Sequence, residues 1–157
     1  MIPSQDVITA AQSGQAATRA DTDGHGIPSS VAIAQYGLES GWGQHMPPGS
    51  FNPFGIKAVG GQLAVDEPTR EFVHGHMTTE DQPFARFSSL AVAFQVHARL
   101  LATSFDYAKA REALPDPFAF ADALTGVYAT DPNYGSELGT IIRGDDLTKY
   151  DLAAAQA

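Results

Sequence analysis

The sequence predicts a mainly helical α+β fold with a small β-hairpin lobe. Two helix-rich stretches, up to about residue 42 and from about residue 88 onward, enclose a middle rich in Gly and Pro with short strand-like runs. Neither an internal repeat nor a low-complexity linker interrupts this order, and 157 residues suit one domain with one core. We therefore expect a single domain over 1–157, in which 1–27 form an N-terminal helix and loop.

The N-terminal half should contain two helices. The first is expected over about residues 5–20, before a turn-rich loop. The second is expected to begin at Ser29 or Ser30, because their hydroxyls suit N-capping just after a proline. Gly41 and Gly43 should end this helix, so Glu39 falls in its last turn.

The middle and the C-terminal half supply the remaining elements. Short strands of the hairpin lobe are expected near residues 63–65, 70–76 and 84–87. Ser88 or Ser89 should then cap a helix whose apolar face carries His97, which we expect to be buried and hydrogen-bonded. Asp-Pro pairs at 116–117 and 131–132 each predict a further helix start, with the carboxylate as N-cap and proline at the first helical position.

Composition excludes several classes of function. Nine basic against eighteen acidic residues give a net charge of −9, so nucleic acid is not an expected partner and a glycan would be held by shape, hydrogen bonds and ring stacking. The sequence has no cysteine, which excludes disulfides and thiolate sites. His74 and His76 form a possible metal pair on one strand face, but a third ligand is not recognisable, so neither a metal nor a cofactor is expected.

The sequence also bears on location. It shows neither a signal-peptide pattern at the N-terminus nor an apolar run long enough to span a membrane. We therefore expect a monomer that is made in the cytoplasm without membrane insertion.

Glu39 is the strongest candidate for a chemical role. It lies where the negative end of the helix dipole and the neighbouring indole of Trp42 both disfavour ionisation, which predicts a raised pKa suited to a general acid. The catalytic acid of lysozyme follows the same pattern, a glutamate held against a tryptophan. The alternative is an exposed glutamate beside a C-capping glycine.

Five motifs occur in one order along the chain. They are LESGWG at 38–43, NPFGIK at 52–57, TREF at 69–72, FARFSSL at 84–90 and YATDPNY at 128–134. Together they closely resemble the glucosaminidase domain of the FlgJ-like family, glycoside hydrolase family 73, over about residues 28–150. This resemblance implies a lysozyme-like helical body with the hairpin lobe flanking an active-site cleft.

The resemblance also implies an activity and its residues. The family's endo-β-N-acetylglucosaminidases hydrolyse the bond between N-acetylglucosamine and N-acetylmuramic acid in peptidoglycan, so a glycan strand is the implied substrate. Glu39 matches the proton donor and Glu71 the second, more variable carboxylate. Tyr128 and Tyr134 frame the signature from which one tyrosine faces the scissile sugar, and either can be that residue.

Further residues near the motifs are candidates for sugar binding, namely Trp42, Asn52, Phe54 and Lys57. Trp42 can equally be a core aromatic, and the loop carrying the other three can be structural, although Phe54 is a candidate to stack on a sugar. Gly37 departs from the family, which commonly has Ala there, and this departure costs about 1 kcal/mol of helix propensity.

Several alternatives stay open at this level. Glu71 can activate water for inversion, or the 2-acetamido group of the substrate can act as the nucleophile. A muramidase or a lytic transglycosylase on the same glycan, and a non-catalytic glycan-binding module, are the rival functions. A phage or prophage endolysin released by a holin is the expected context, acting in the periplasm or cell wall. An effector with an immunity partner and a piece of a flagellar protein are the alternatives.

Overall fold

The structure, a computed structural model, describes residues 1–154, except for the side chains of Glu67 and of residues 70–73. It confirms a mainly helical α+β fold. The α-helices and strands in chain order are α1 Gln5–Ala17, α2 Ser29–Ser40, β1 Ala64–Val73, β2 His76–Ala85, α3 Leu90–Thr103, α4 Ala108–Arg111, α5 Pro117–Ala123 and α6 Tyr134–Gly144. Short 3₁₀ turns follow α1, α3 and α6, at Arg19–Asp21, Phe105–Tyr107 and Leu147–Tyr150.

Helix α2 lies at the centre of the helical body. It packs against α1, α3, α5 and α6, and every residue from 29 to 37 is buried. A helix that is buried on all sides needs small and apolar residues all round, and Val31, Ile33 and Ala34 supply them. The core therefore fixes the position of Glu39, which is two residues beyond this buried stretch.

The start of α2 differs from the prediction. Pro28 is the N-cap residue, and neither serine caps the helix with its own hydroxyl. Instead, the Asp151 carboxylate accepts hydrogen bonds from the backbone N–H and the hydroxyl of Ser30, each at 2.7 Å. Ser29 donates its hydroxyl to the buried Gln15 side chain. The predicted serine cap is wrong because a carboxylate distant in sequence satisfies the helix N-terminus.

The β lobe is a single antiparallel hairpin of two ten-residue strands, longer than predicted. His74 and Gly75 form its two-residue turn with φ of 51° and 81°, which is the geometry of a type I′ turn. The side chains described in β2 are exposed or half-buried up to Phe84, so the hairpin projects from the body. His74 lies in the turn and His76 begins β2, so the predicted pair on one strand face is wrong.

Two of the three predicted caps in the C-terminal half are confirmed. Ser89 accepts from the N–H of Val92 at the start of α3, and Asp116 caps α5. The third is wrong, because α6 begins at Tyr134 rather than at the Asp-Pro pair. The Asp131 carboxylate accepts from the N–H of Asn133 inside the preceding turn.

The turn that ends α2 explains why position 37 is a glycine. Gly41, Trp42 and Gly43 all have positive φ, at 56°, 60° and 87°, and this left-handed run turns the chain back along the helix. The Trp42 indole then lies over Gly37 and meets the Tyr36 ring edge-on, with centroids 6.2 Å apart. A Cβ atom at position 37 would lie 2.6 Å from the indole. Gly37 is thus required for packing and is not merely a poor helix former.

We therefore predict that Gly37→Ala destabilises the protein, although alanine favours helices by about 1 kcal/mol. Overpacking against the indole should lower the free energy of unfolding by about 1–3 kcal/mol and shift the fluorescence of Trp42, the single tryptophan. Gly139→Ala is the matched control, because the nearest atom to a Cβ there is 3.8 Å away. Chemical denaturation of both variants measures the difference, and an unchanged or raised stability of Gly37→Ala contradicts the packing argument.

Candidate active site

A cleft of about 480 Å³ separates the helical body from the hairpin. Glu39 at the end of α2 lines it from the body. Pro68, Thr69 and Phe84 line it from the hairpin, and the loop between α2 and β1 contributes His45, Pro47, Asn52 and Lys57 among others. Tyr128 and Ala129 complete the wall. The two lobes thus meet at Glu39, as the sequence predicted.

The carboxyl group of Glu39 accepts a hydrogen bond from Tyr134, whose hydroxyl donates to Oε1 at 2.8 Å. Glu39 as a whole residue is exposed, but the atoms packed around its carboxyl group partly shield that group from water, and this desolvation raises its pKa. The hydrogen bond from Tyr134 acts in the opposite direction and is the smaller effect. The predicted direction of the shift is confirmed, but its main cause is burial rather than an adjacent indole, which lies over Gly37 instead.

Tyr134 is buried behind the carboxyl group. Its side chain is 3% exposed, and its hydroxyl accepts a hydrogen bond of 2.8 Å from Nε2 of Gln35. Burial and the negative charge of Glu39 raise the pKa of Tyr134, so its hydroxyl is neutral and available as a donor. Tyr134 therefore acts on Glu39 from the side opposite the cleft.

Tyr128 is the tyrosine that lines the cleft itself. Its ring is stacked on that of Tyr134, with centroids 5.8 Å apart and planes 9° apart. Its hydroxyl donates to the carbonyl of Phe54 at 2.9 Å, which fixes the ring against the loop. Burial and the charge of Glu39 raise its pKa as well. The YATDPNY motif thus places Tyr128 on the cleft and Tyr134 behind the carboxyl group of Glu39.

Asn52 and Phe54 serve the loop between α2 and β1. The Asn52 amide donates to the carbonyls of Ile56 and Ala85, while its Oδ1 accepts from the N–H groups of Phe54 and Ile56. The Phe54 ring is 2% exposed and stacked on His97, with centroids 3.9 Å apart. The expectation that Phe54 stacks on a sugar is therefore wrong, because its ring belongs to the core.

The other predicted site residues have different positions. Lys57 lines the cleft, and an isolated β-bridge joins its backbone to Phe84 of the hairpin. Trp42 packs against α2 and is not among the residues that line the cleft. The backbone of Glu71 lies in β1 opposite Thr78, two residues beyond Thr69, and its side chain lies outside the described residues. The catalytic role of Glu71 stays a prediction.

The prediction that His97 is buried and hydrogen-bonded is confirmed, but sequence reasoning missed Gln35 and the hydrogen bonds that connect both residues to Glu39. Gln35 and His97 are both completely buried, and Nε2 of His97 lies 2.8 Å from Oε1 of Gln35. The signal for Gln35 was its spacing of four residues before Glu39, which places the two side chains on one face of α2. His45, which lines the cleft, carried no comparable signal.

Neither a metal centre nor a membrane span is found in the part of the chain that the structure describes. Among these residues there is no cluster of three or more His, Cys, Asp or Glu side chains suited to a metal ion. Within the same residues, no helix has the length and apolar character needed to cross a bilayer.

Comparison with known proteins identifies the family. A model described as mannosyl-glycoprotein endo-β-N-acetylglucosaminidase, the glucosaminidase family, matches residues 15–147. The chain belongs to the glucosaminidase family. The match covers both halves of the helical body and the whole hairpin, so it contains every element that lines the cleft.

Relatives within the glucosaminidase family carry different names. The chain is 40% identical over 141 residues to a probable N-acetylmuramidase of Lactococcus lactis, which covers 85% of this chain and 32% of that protein. It is 31% identical over 134 residues to the exo-glucosaminidase LytG of Bacillus subtilis, covering 81% of this chain and 47% of that protein. The chain thus spans less than half the length of these relatives.

Solved structures of similar fold include a peptidoglycan hydrolase mutant from Sphingomonas sp. A1. The two chains share 32% identity and superpose with a TM-score of 0.74, over 94% of this chain and 97% of the other. This similarity therefore covers nearly the whole of this chain.

We predict that Tyr134→Phe raises the pKa of Glu39 further, because the lost hydroxyl is the donor that stabilises the carboxylate. NMR titration of the carboxyl group of Glu39 measures the shift directly. Tyr107→Phe is the control, since it removes a buried phenol that has no hydrogen bond to Glu39 among the described contacts. A pKa of Glu39 that is unchanged or lowered in Tyr134→Phe contradicts the assignment.

Proposed function

We propose that this glucosaminidase-family chain hydrolyses peptidoglycan as an endo-β-N-acetylglucosaminidase, with Glu39 as the general acid. The observation that carries the proposal is the Glu39 carboxyl, which combines a raised pKa, a hydrogen bond from Tyr134 and a position on a cleft between two lobes. Glycoside cleavage needs such a carboxylic acid, because the leaving oxygen must receive a proton. The family match and the solved hydrolase of similar fold support the same activity.

The cleft suits a neutral sugar chain. It combines polar groups, such as the His45 and Lys57 side chains, with the Tyr128 ring and the apolar surface of Pro68 and Phe84. Alternating apolar and polar surface is what sugar rings need, since their faces are apolar and their edges carry hydroxyls. The net charge of −9 gives an anionic polymer no general attraction, so recognition depends on these local contacts.

The bond between N-acetylglucosamine and N-acetylmuramic acid is the proposed target. The names of the relatives divide between N-acetylmuramidase and glucosaminidase, which cut alternate bonds of one glycan. We favour the glucosaminidase bond because the family description names an endo-β-N-acetylglucosaminidase, although the substrate named there is a mannosyl-glycoprotein. Peptidoglycan is thus the proposed partner, with action in the periplasm or cell wall.

The second half of the reaction can follow two routes. Water activated by Glu71 attacks the anomeric carbon and inverts it, or the 2-acetamido oxygen of the substrate attacks first and configuration is retained. The anomer formed first, read by NMR, separates these routes: an α product indicates inversion and a β product indicates retention. Thr69, two residues before Glu71 in β1, already lines the cleft, which supports a role for this strand in either route.

We predict that Glu39→Gln abolishes hydrolysis while the protein stays folded. The amide is nearly isosteric but has no acidic proton, so loss of general acid catalysis should cost at least about a hundredfold in rate. Glu137→Gln, an exposed carboxylate on α6, is the matched control and should keep the wild-type rate. Clearing of a purified cell-wall suspension measures the rate. A folded Glu39→Gln variant that keeps more than half the activity contradicts this role.

A separate prediction concerns the reducing sugar of the product. Digestion of purified peptidoglycan followed by borohydride reduction should yield N-acetylglucosaminitol, measured by mass spectrometry of the muropeptides. Muramitol would indicate a muramidase, and a 1,6-anhydro product would indicate a lytic transglycosylase. Binding of the glycan without any new end would indicate a non-catalytic module.

Release by a holin and neutralisation by an immunity partner belong to the proposed endolysin and effector contexts. Expression inside a bacterium with and without a holin tests the first. Lysis that needs the holin supports release from the cytoplasm, and lysis without it argues for another route to the wall.

A further inference from the structure

A chain of three hydrogen bonds runs from the core to Glu39. Nε2 of His97 meets Oε1 of Gln35 at 2.8 Å, Nε2 of Gln35 donates to the Tyr134 hydroxyl at 2.8 Å, and that hydroxyl donates to Oε1 of Glu39 at 2.8 Å. Gln35 and His97 have no exposed surface and line no part of the cleft. The chain of hydrogen bonds joins α3, α2 and α6, so packed helices hold each of its members in place.

Only one assignment of donors and acceptors satisfies this series of hydrogen bonds. The carbonyl oxygen of Gln35 accepts hydrogen bonds and cannot donate them, so Nε2 of His97 must carry a hydrogen. Burial lowers the pKa of His97 to about 3, which keeps the ring neutral and leaves Nδ1 without a hydrogen. Among the described residues, Nδ1 is also the nitrogen that has no partner, and an unpaired acceptor there is consistent with this tautomer.

Exchanging the positions of the oxygen and nitrogen of the Gln35 side-chain amide would disrupt these hydrogen bonds. Its oxygen would then face Tyr134, and the one hydroxyl hydrogen would be shared between that oxygen and Glu39. In addition, His97 would have to accept through Nε2, leaving a buried N–H at Nδ1 without a partner. The amide is therefore fixed by hydrogen-bond accounting, with its N–H directed at the oxygen of Tyr134.

We propose that Gln35 and His97 are positioning residues that keep the hydroxyl hydrogen of Tyr134 on Oε1 of Glu39, so that the transferable proton of Glu39 resides on Oε2. Because the Tyr134 oxygen already faces the Gln35 N–H, its hydrogen is held toward the carboxyl group. In a protonated carboxyl group the oxygen without the hydrogen is the better acceptor, so donation from Tyr134 to Oε1 favours the proton on Oε2. The proposal rests on the proposed function of Glu39 as the acid.

The test compares two buried glutamines. Gln35→Met removes the donor to Tyr134, whereas Gln15→Met removes a glutamine of similar burial that binds Ser29 and Leu152 and does not line the cleft. NMR titration of the Glu39 carboxyl and the pH dependence of wall hydrolysis are measured for both. Among the described side chains, His45, Lys57, Tyr128 and Tyr134 are the other titratable groups at Glu39 or on its cleft, and both variants retain them, as they retain Glu71.

For Gln35→Met we expect a higher pKa of Glu39, because the tyrosine then donates less strongly to the carboxylate. Since the acid works protonated, the loss of activity at high pH should move to higher pH. At the same time, kcat should fall about tenfold, because the proton is no longer held on Oε2. The half-saturating peptidoglycan concentration should stay unchanged, since Gln35 does not line the cleft. Gln15→Met should lower the thermal stability but alter neither the pKa of Glu39 nor kcat.

Variants of His97 supply the second test. His97→Gln retains a donor near the position of Nε2 and should stay close to the wild type, whereas His97→Leu should behave like Gln35→Met. An unchanged Glu39 pKa in both Gln35→Met and His97→Leu overturns the proposal, and so does an equal shift in Gln15→Met. The NMR titration does not depend on hydrolysis. A wild type without activity therefore overturns the proposed function, while the titration still decides the hydrogen-bond chain.

Discussion

The burial of α2 over residues 29–37 is the constraint on which the rest of the molecule depends. Four other helices pack around it, and its exposed end carries the one acid that the cleft presents from the described residues of the body. Because such a helix can neither slide nor rotate without opening the core, Glu39 has a defined position relative to Tyr134 on α6. The precision of the site thus comes from packing in the body, while the hairpin contributes a wall.

The sequence predicted the elements that follow local rules. The Asp116 and Ser89 caps were correct because each cap is a contact between residues two or three positions apart. Glu39 was found for a similar reason, since its place at a helix end before a glycine is visible in the sequence. Gly37 was interpreted only as a poor helix former. The glycine is required because the left-handed turn after α2 places the Trp42 indole against position 37, and helix propensity contains no information on such a contact.

Features that depend on distant partners escaped prediction. The cap of α2 comes from Asp151, 121 residues beyond Ser30, and the hydrogen-bond chain behind Glu39 joins residues 62 to 99 positions apart. The sequence indicated two tyrosines without distinguishing them. Their division needed the tertiary structure, in which Tyr128 lines the cleft while Tyr134 is buried and donates to Glu39. Burial of His97 was predictable because it lies on the apolar face of its own helix, whereas its partner Gln35 becomes evident only once the helices are packed.

The cap supplied by Asp151 has a consequence for the timing of biosynthesis. A ribosome makes this chain from the N-terminus, so α2 emerges long before the carboxylate that binds Ser30 at its start. Leu152 likewise closes onto Gln15 of α1. Asp151 and Leu152 therefore hold the N-terminus of α2 and helix α1 in place. The nascent protein can form these contacts, and so fix the helix that carries Glu39, only after this segment has left the ribosome.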